Sequence, residues 1–226
     1  MEAIRIRDYR SSQLEDSLVI ERIIAGENEL FEILLRRYNQ TLYRVIRGYL
    51  NDQDDVQDAM QNAYLKAFDK LSQFKGHSSF STWLIRIGIN EALRRVGDIK
   101  KDKVICPNIQ ENKTEFGNHT PDKQMNPEKA IIYQESQQLL EKAIDNLPEK
   151  YRLIYILKEV EGLDNLQIQE SLGLTESNTK VRLHRARTLL KRSLYKFSLK
   201  EEVFEFGNSR CDAVVALVMK DICVIT

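Results

Sequence analysis

The sequence predicts an all-α fold: two small helical domains joined by a flexible linker, the second containing a helix-turn-helix. Three observations support this. Apolar residues recur at three- and four-residue steps over long stretches. Gly 9 and Pro 4 among 226 residues are too few for a turn-rich sandwich or barrel. Between the periodic stretches, residues 97–125 have no sustained period, and a structureless span of that length is unusual inside one compact domain.

The expected units are a domain over 1–97, a linker over 98–125, a domain over 126–200 and an extension over 201–226. In the first, Ser17 is placed to cap a short helix ending near Gly26. Phe31, Leu34, Leu35, Tyr38, Leu42, Val45, Ile46 and Tyr49 then mark one face of a long helix, which the polar run Asn51–Asp54 ends. Val56, Ala59, Met60, Ala63, Tyr64, Ala67, Phe68 and Leu71 form the stripe of a second long helix, reaching about Phe74. KGHSS over Lys75–Ser79 reads as a loop, with Ser79 or Ser81 capping a helix from Thr82 to about Val96.

The second domain opens at Asn126-Pro127, a capping residue followed by proline at the first helical position. One helix runs to about Leu147, and Pro148 separates it from another that ends before Gly162. A short helix over Asn165–Leu172, a turn at Gly173 and a long helix capped by Thr175 give the helix-turn-helix layout. In the extension, Asp212–Asp221 reads as a short apolar helix.

Composition excludes several classes. Hydrophobic residues at 42% and charged residues at 30% suit a soluble globular protein. Cys106, Cys211 and Cys223 are widely spaced and form neither a disulfide framework nor a CxxC pair. The N-terminus lacks a signal-peptide core, and the apolar stretches near Thr82–Ile89 and Val214–Met219 do not suit a bilayer. A cytoplasmic protein without membrane insertion is expected.

Lys+Arg 34 equals Asp+Glu 34, so charge distribution carries the information. From Ser177 to Lys200 there is no acidic residue. Leu183, Ala186 and Leu190 form the inner stripe of this segment, while Ser177, Asn178, Val181, Arg182 and Arg185 point elsewhere. An apolar back and basic front fit a DNA major groove: arginine forks onto guanine, asparagine onto adenine, and valine meets a thymine methyl. The helix N-terminus at Thr175, and Lys180, suit phosphates.

The second long helix has the opposite character. Asp54, Asp58, Gln61, Asn62 and Leu65 share a face that would repel DNA and suits a positively charged protein surface. Trp83, Arg86, Asn90 and Arg94 lie on roughly one face of the next helix. Aromatic rings beside cations suit single-stranded nucleic acid. The Lys75–Ser79 loop offers small polar groups that could hold a base pulled from the duplex. A plain core role for Trp83 is the competing reading. His77, His119 and His184 sit in three different segments, and no HExxH, phosphate loop or G-x-S-x-G elbow is present. No enzyme activity, cofactor or metal site is expected.

These residues resemble bacterial extracytoplasmic-function (ECF) sigma factors of the sigma-70 family. DDVQDAMQNAYLKAF looks like the core-polymerase-binding helix, and FKGHSSFSTWLIRIGINEALRR like the promoter-melting and −10 region. LPEKYRLIYILKEVEGL followed by LQIQESLGLTESNTKVRLHRARTLLKR looks like the −35 domain. The resemblance implies that Asp55, Asp58, Gln61 and Asn62, with Leu65 on the same helix, face the β′ clamp helices of core RNA polymerase. It puts Phe80, Trp83, Arg86 and Asn90 in the segment that separates strands, with Lys75 and Ser79 in the base-capturing loop. It assigns −35 duplex reading to Ser177, Asn178, Lys180, Arg182 and Arg185, in a domain that also leans on the β-flap. The linker would thread the polymerase cleft. An anti-sigma protein, where one exists, would wedge between the domains.

Several positions depart from the family pattern. His77 stands where an acidic or small residue is common. Gln169 and Ser171 replace an alanine and an aliphatic residue, and Thr179 an inward valine. A buried Gln169 needs a hydrogen-bond partner, expected at the edge of the packed turn. Two other readings of the chain are a stand-alone helix-turn-helix regulator and a polymerase-interacting scaffold that reads no DNA.

Overall fold

The computed structural model describes residues 14–105 and 127–198, with side chains given for 14–101 and 134–195. The described residues are helical throughout, apart from turns and short connections. In order, α1 spans Asp16–Ile24, α2 Phe31–Arg47, α3 Gln53–Asp69, α4 Phe80–Ile105, α5 Pro127–Asp145, α6 Glu149–Tyr155, α7 Asn165–Leu172 and α8 Glu176–Ser198. The extension over 201–226, with Cys211 and Cys223, lies outside the described residues, as do Cys106 and His119.

Local chemistry sets the helix ends. Glu15, not Ser17, occupies the position before α1, and no side chain caps that helix. The Asp52 carboxylate accepts the Asp54 and Asp55 N–H groups and starts α3. Helix α3 ends at Asp69, followed by a 3-10 turn over Leu71–Gln73, so the helix expected to run to Phe74 stops one turn early. Helix α4 extends to Ile105, making residues 98–105 of the expected linker helical. Helix α6 passes into a π-helical turn over Ile156–Val160 that periodicity does not announce.

Asp164 and Gln167 form a reciprocal capping box at α7. Gly173, with φ of +63°, ends α7 in the left-handed conformation that opens the turn to α8. Replacing Asp164 with alanine is expected to cost about 1 kcal/mol. A thermal melt should then shift down by roughly 2–4 °C, and an unchanged melt would show that the box contributes nothing.

The first helices enclose a core that includes Ile33, Leu34, Leu42, Ile46, Val56 and Leu84. Small residues bring the helices close: Ala59, Ala63 and Ala67 line the buried side of α3, and Gly88 faces Leu42. Phe68 is 39% exposed and only edges onto Phe31, at 5.1 Å between ring centroids. Buried Glu91 joins α3 to α4 by accepting from Lys66 at 2.5 Å and Arg94 at 3.1 Å. Burial pushes its carboxyl pKa up, but the two cations outweigh that and hold it below its usual value.

Two observations correct the expectations for the second block. Gln169 is only half-buried, whereas Ser171 and Thr179 are buried. Both hydroxyls donate one turn back, Ser171 to the Gln167 carbonyl at 2.7 Å and Thr179 to the Thr175 carbonyl at 3.0 Å. The polar replacements are satisfied within their own helices.

The two blocks also touch. Val45 of α2 and Ile85 and Ile89 of α4 share one cluster with Tyr151, Ile154, Leu157, Ile168, Leu183 and Ala186. Helix α4 therefore buries Leu84 and Ala92 in the first block and Ile85 and Ile89 against the second. A smaller cluster of Ala143, Leu147 and Leu190 ties α5 to α8.

Candidate nucleic-acid and polymerase interfaces

Along α8, the helix after the Gly173 turn, Thr175, Ser177, Asn178, Lys180, Val181 and Arg185 are exposed, and Arg182 is half-buried. The inward residues Thr179, Leu183, Ala186 and Leu190 fix which face this is. Thr175 Oγ1 accepts the Asn178 N–H at 3.3 Å and so caps the helix. Lys180 pairs with Glu176 at 2.6 Å, and that cation holds the Glu176 carboxyl below its usual pKa. The Arg185 guanidinium beside Tyr151 lowers the pKa of the tyrosine hydroxyl. The exposed face therefore presents an amide, hydroxyls, an apolar tip and a forked cation at the entry of one helix, the set a major groove accepts.

An aromatic cluster marks the junction of α3 and α4. Phe80 is 3% exposed and packs against Tyr38, Phe74 and Trp83, at 5.5, 5.8 and 5.7 Å. Its expected place on a DNA-facing surface is therefore corrected: Phe80 is a core residue that supports Trp83. Trp83 is half-buried, with Phe74 at 5.3 Å, so it packs and still presents an edge. Arg86 and Asn90 are exposed along the same helix. Arg94 is held by Glu91 and by Asp98 at 3.2 Å. In the preceding loop, Lys75 and His77 are exposed and Gly76 has φ of +70°. The Ser79 hydroxyl accepts the Thr82 N–H at 3.2 Å, so it caps α4.

On α3, Asp54, Asp58, Gln61 and Leu65 are exposed, with Leu65 at 61%, and Asn62 is half-buried. Asp55 behaves differently: Arg95 of α4 holds its carboxylate at 2.5 Å. The resemblance implies that Asp55 faces the polymerase, and the structure adds that its half-buried carboxylate is paired within the block. Beside this face lies an open cleft of about 480 Å³ between α2 and α3, lined by Asn39, Gln40, Tyr43, Gln53, Gln57, Met60 and Tyr64. Sequence reasoning missed this cleft, although Asn39, Gln40 and Tyr43 against Gln53, Gln57 and Met60 carry a readable spacing. Among the described residues no cluster of His, Cys, Asp and Glu could hold a metal ion, and no helix is long and apolar enough to cross a membrane.

If Arg185 makes one phosphate contact, Arg185→Ala is expected to weaken binding to −35 duplexes of any sequence about equally and to reduce the salt slope by about 1. Filter binding across a salt series reads this, and equal slopes for variant and wild type would contradict it.

Comparison with known proteins agrees with the geometry. The Sigma-70 region 2 family matches residues 34–101, and the Sigma-70 region 4 family matches residues 137–190. The ECF RNA polymerase sigma-E factor of Escherichia coli K12 is 30% identical over 184 residues, covering 78% of this chain and 93% of the relative. The sigma-E factor of Haemophilus influenzae is 29% identical over 187 residues, covering 81% and 97%. Among solved structures, the sigma factor RpoE from Bartonella quintana, in complex with the anti-sigma factor NepR, aligns with a TM-score of 0.59 at 21% identity over 73% of this chain and 96% of that one. CnrH in complex with the cytosolic domain of CnrY aligns with a TM-score of 0.55 at 19% identity, covering 80% and 97%. With an exposed basic helix after the Gly173 turn, an aromatic–basic helix and an acidic face on the blocks these families match, the chain belongs to the ECF sigma-70 family of RNA polymerase sigma factors.

Proposed function

We propose that this chain, as a sigma factor that binds core RNA polymerase and promoter DNA through its region 2 and region 4 blocks and is not itself an enzyme, divides its work among its residues as follows. Asp58, Gln61, Asn62 and Leu65 dock on the positively charged β′ clamp helices. Trp83, Arg86 and Asn90, with Lys75 and the loop ending at Ser79, hold the separated −10 strand. Thr175, Ser177, Asn178, Lys180, Val181, Arg182 and Arg185 engage the −35 duplex, and the same block leans on the β-flap. Phe80 acts through Trp83, and Asp55 through Arg95.

The observation that carries this reading is the separation of chemistries. The acidic face, the aromatic–basic helix and the basic groove-reading helix occupy different surfaces, each matched to one partner. The chain works in the cytoplasm, where the polymerase is. An anti-sigma protein is a further partner, a reading supported by the anti-sigma factor NepR bound to the Bartonella sigma factor.

Permanganate footprinting of promoter complexes tests the reading. Core polymerase with this chain should make −10 thymines reactive, and Trp83→Ala should reduce that reactivity, since base–aromatic stacking is worth about 1–3 kcal/mol. Full reactivity with the variant would remove Trp83 from strand holding.

A further inference from the structure

The second block carries an open groove between the end of α6, with its π-helical turn, and the C-terminal half of α8. Its volume is about 350 Å³, and Tyr155, Glu159, Arg187, Leu190, Lys191 and Leu194 line it. Leu190, 5% exposed, and the half-buried Tyr155 and Leu194 make the interior apolar. All three belong to the small cluster around Ala143 and Leu147 that ties α5 to α8. At the rim, Glu159 accepts from Arg187 at 2.6 Å, and Lys191 is exposed.

The chain that follows α8 matches this groove in shape, charge and reach. Helix α8 ends at Ser198, one turn past Leu194, and residues 199–226 lie outside the described residues. They begin LKEEVFEF. Side chains alternate along an extended chain, so Glu202, Phe204 and Phe206 would share one side. Two phenyl rings suit the space, since a cavity of roughly 150 Å³ holds one benzene. From Ser177 to Lys200 there is no acidic residue, and the first acids beyond are Glu201 and Glu202. Phe204 follows Ser198 by six residues, a reach of roughly 20 Å when extended. Leu190 lies only about 12 Å back along the helix at ~1.5 Å per residue.

We propose that this groove is the docking site of the chain's own segment Glu202–Phe206. Phe204 and Phe206 cover Tyr155, Leu190 and Leu194, and Glu202 pairs with Lys191. Burial of the two rings drives the docking, and the acid–lysine pair sets its register. The short tether favours docking within one chain over docking between chains, because it holds the segment at a high effective concentration. The docked segment braces the end of α8 and leaves the reading face open. At 100° per residue, Arg187 lies on the opposite side of α8 from Asn178. This docking stands whether or not the chain serves RNA polymerase.

The test uses the full chain with Phe204 replaced by the photoreactive residue p-benzoylphenylalanine. Irradiation should give cross-links within one chain, and peptide mapping should place them on residues 155–159 or 187–194. Lys191→Glu should cut the yield at least about 5-fold through like-charge repulsion, and Lys191→Glu/Glu202→Lys should restore it. Hydrogen exchange supplies a second readout on the natural side chains. In Phe204→Ala/Phe206→Ala, amides of residues 190–195 should exchange about 10-fold faster than in the wild type. Circular dichroism should be the same for both, which shows that the helices remain folded.

Cross-links on other surfaces, or none above background, would overturn the docking site. Cross-links between two chains that grow with concentration would place a second copy's segment in the groove and overturn docking within one chain. An unchanged yield in Lys191→Glu would overturn the pairing of Glu202 with Lys191. Unchanged exchange in the double phenylalanine variant would overturn the bracing of α8.

Discussion

Replacing Asp58 with lysine is expected to lower affinity for core RNA polymerase by about 100-fold, because like charges brought together at an interface cost several kcal/mol. Asp58 lies on the exposed face of α3 with Gln61 and Leu65. Its neighbour one position earlier in the acidic run is a built-in contrast. Asp55 is tied to Arg95 at 2.5 Å, so Asp55→Ala should act through the α3–α4 packing and lower the melting temperature. Asp58→Lys should leave the melt and the −35 duplex binding of the full chain unchanged. Fluorescence anisotropy with labelled chain and core polymerase gives the affinity. Unchanged affinity for Asp58→Lys would move the docking surface elsewhere, with the amide-lined cleft between α2 and α3 the next place to look.

Gly88→Val should destabilise the chain by about 2–3 kcal/mol, in the range of overpacked cores. Helices α2 and α4 cross where Gly88 has no side chain. A Cβ there would sit 2.4 Å from Leu42 Cδ1 and 3.6 Å from two atoms of Ile46. Alanine asks only that the tip of Leu42 swing aside, but a branched side chain also meets Ile46. The expected drop in melting temperature is roughly 5–10 °C. Leu42 is fully buried, so Leu42→Ala alone should cost about 3 kcal/mol through the cavity it leaves. Combined, the two should cost less than the sum, because valine fills part of that cavity. Additive losses by calorimetry would show that Gly88 and Leu42 do not compete for the same space.

Much of the fold is legible in the sequence because periodicity is a local signal. The stripes of α2 and α3 and the Gly173 turn are written in consecutive residues. The inner stripe of α8 identifies its basic outer face for the same reason. What the sequence hides depends on distant partners. Asp55 and Asp58 look alike in a run of acids, and only Arg95, forty residues away, separates their roles. Phe80 and Trp83 read as one aromatic surface, yet Phe80 points inward because Tyr38 and Phe74 close around it. Gln169 reads as a buried position, and its half-exposed place reflects how α7 sits on α4 and α8. The contact between blocks has no local signature either, since Ile85, Ile89 and Val45 read as ordinary core positions of the first block.

Transcription by sigma-free core polymerase supplemented with the purified chain, on sheared DNA from its own source, tests the central claim most directly. Mapped starts should be discrete and should share a −35 and a −10 sequence at fixed spacing, lost together when Asp58→Lys replaces the wild type. Core binding without discrete starts, or starts that do not depend on the chain, would contradict the account.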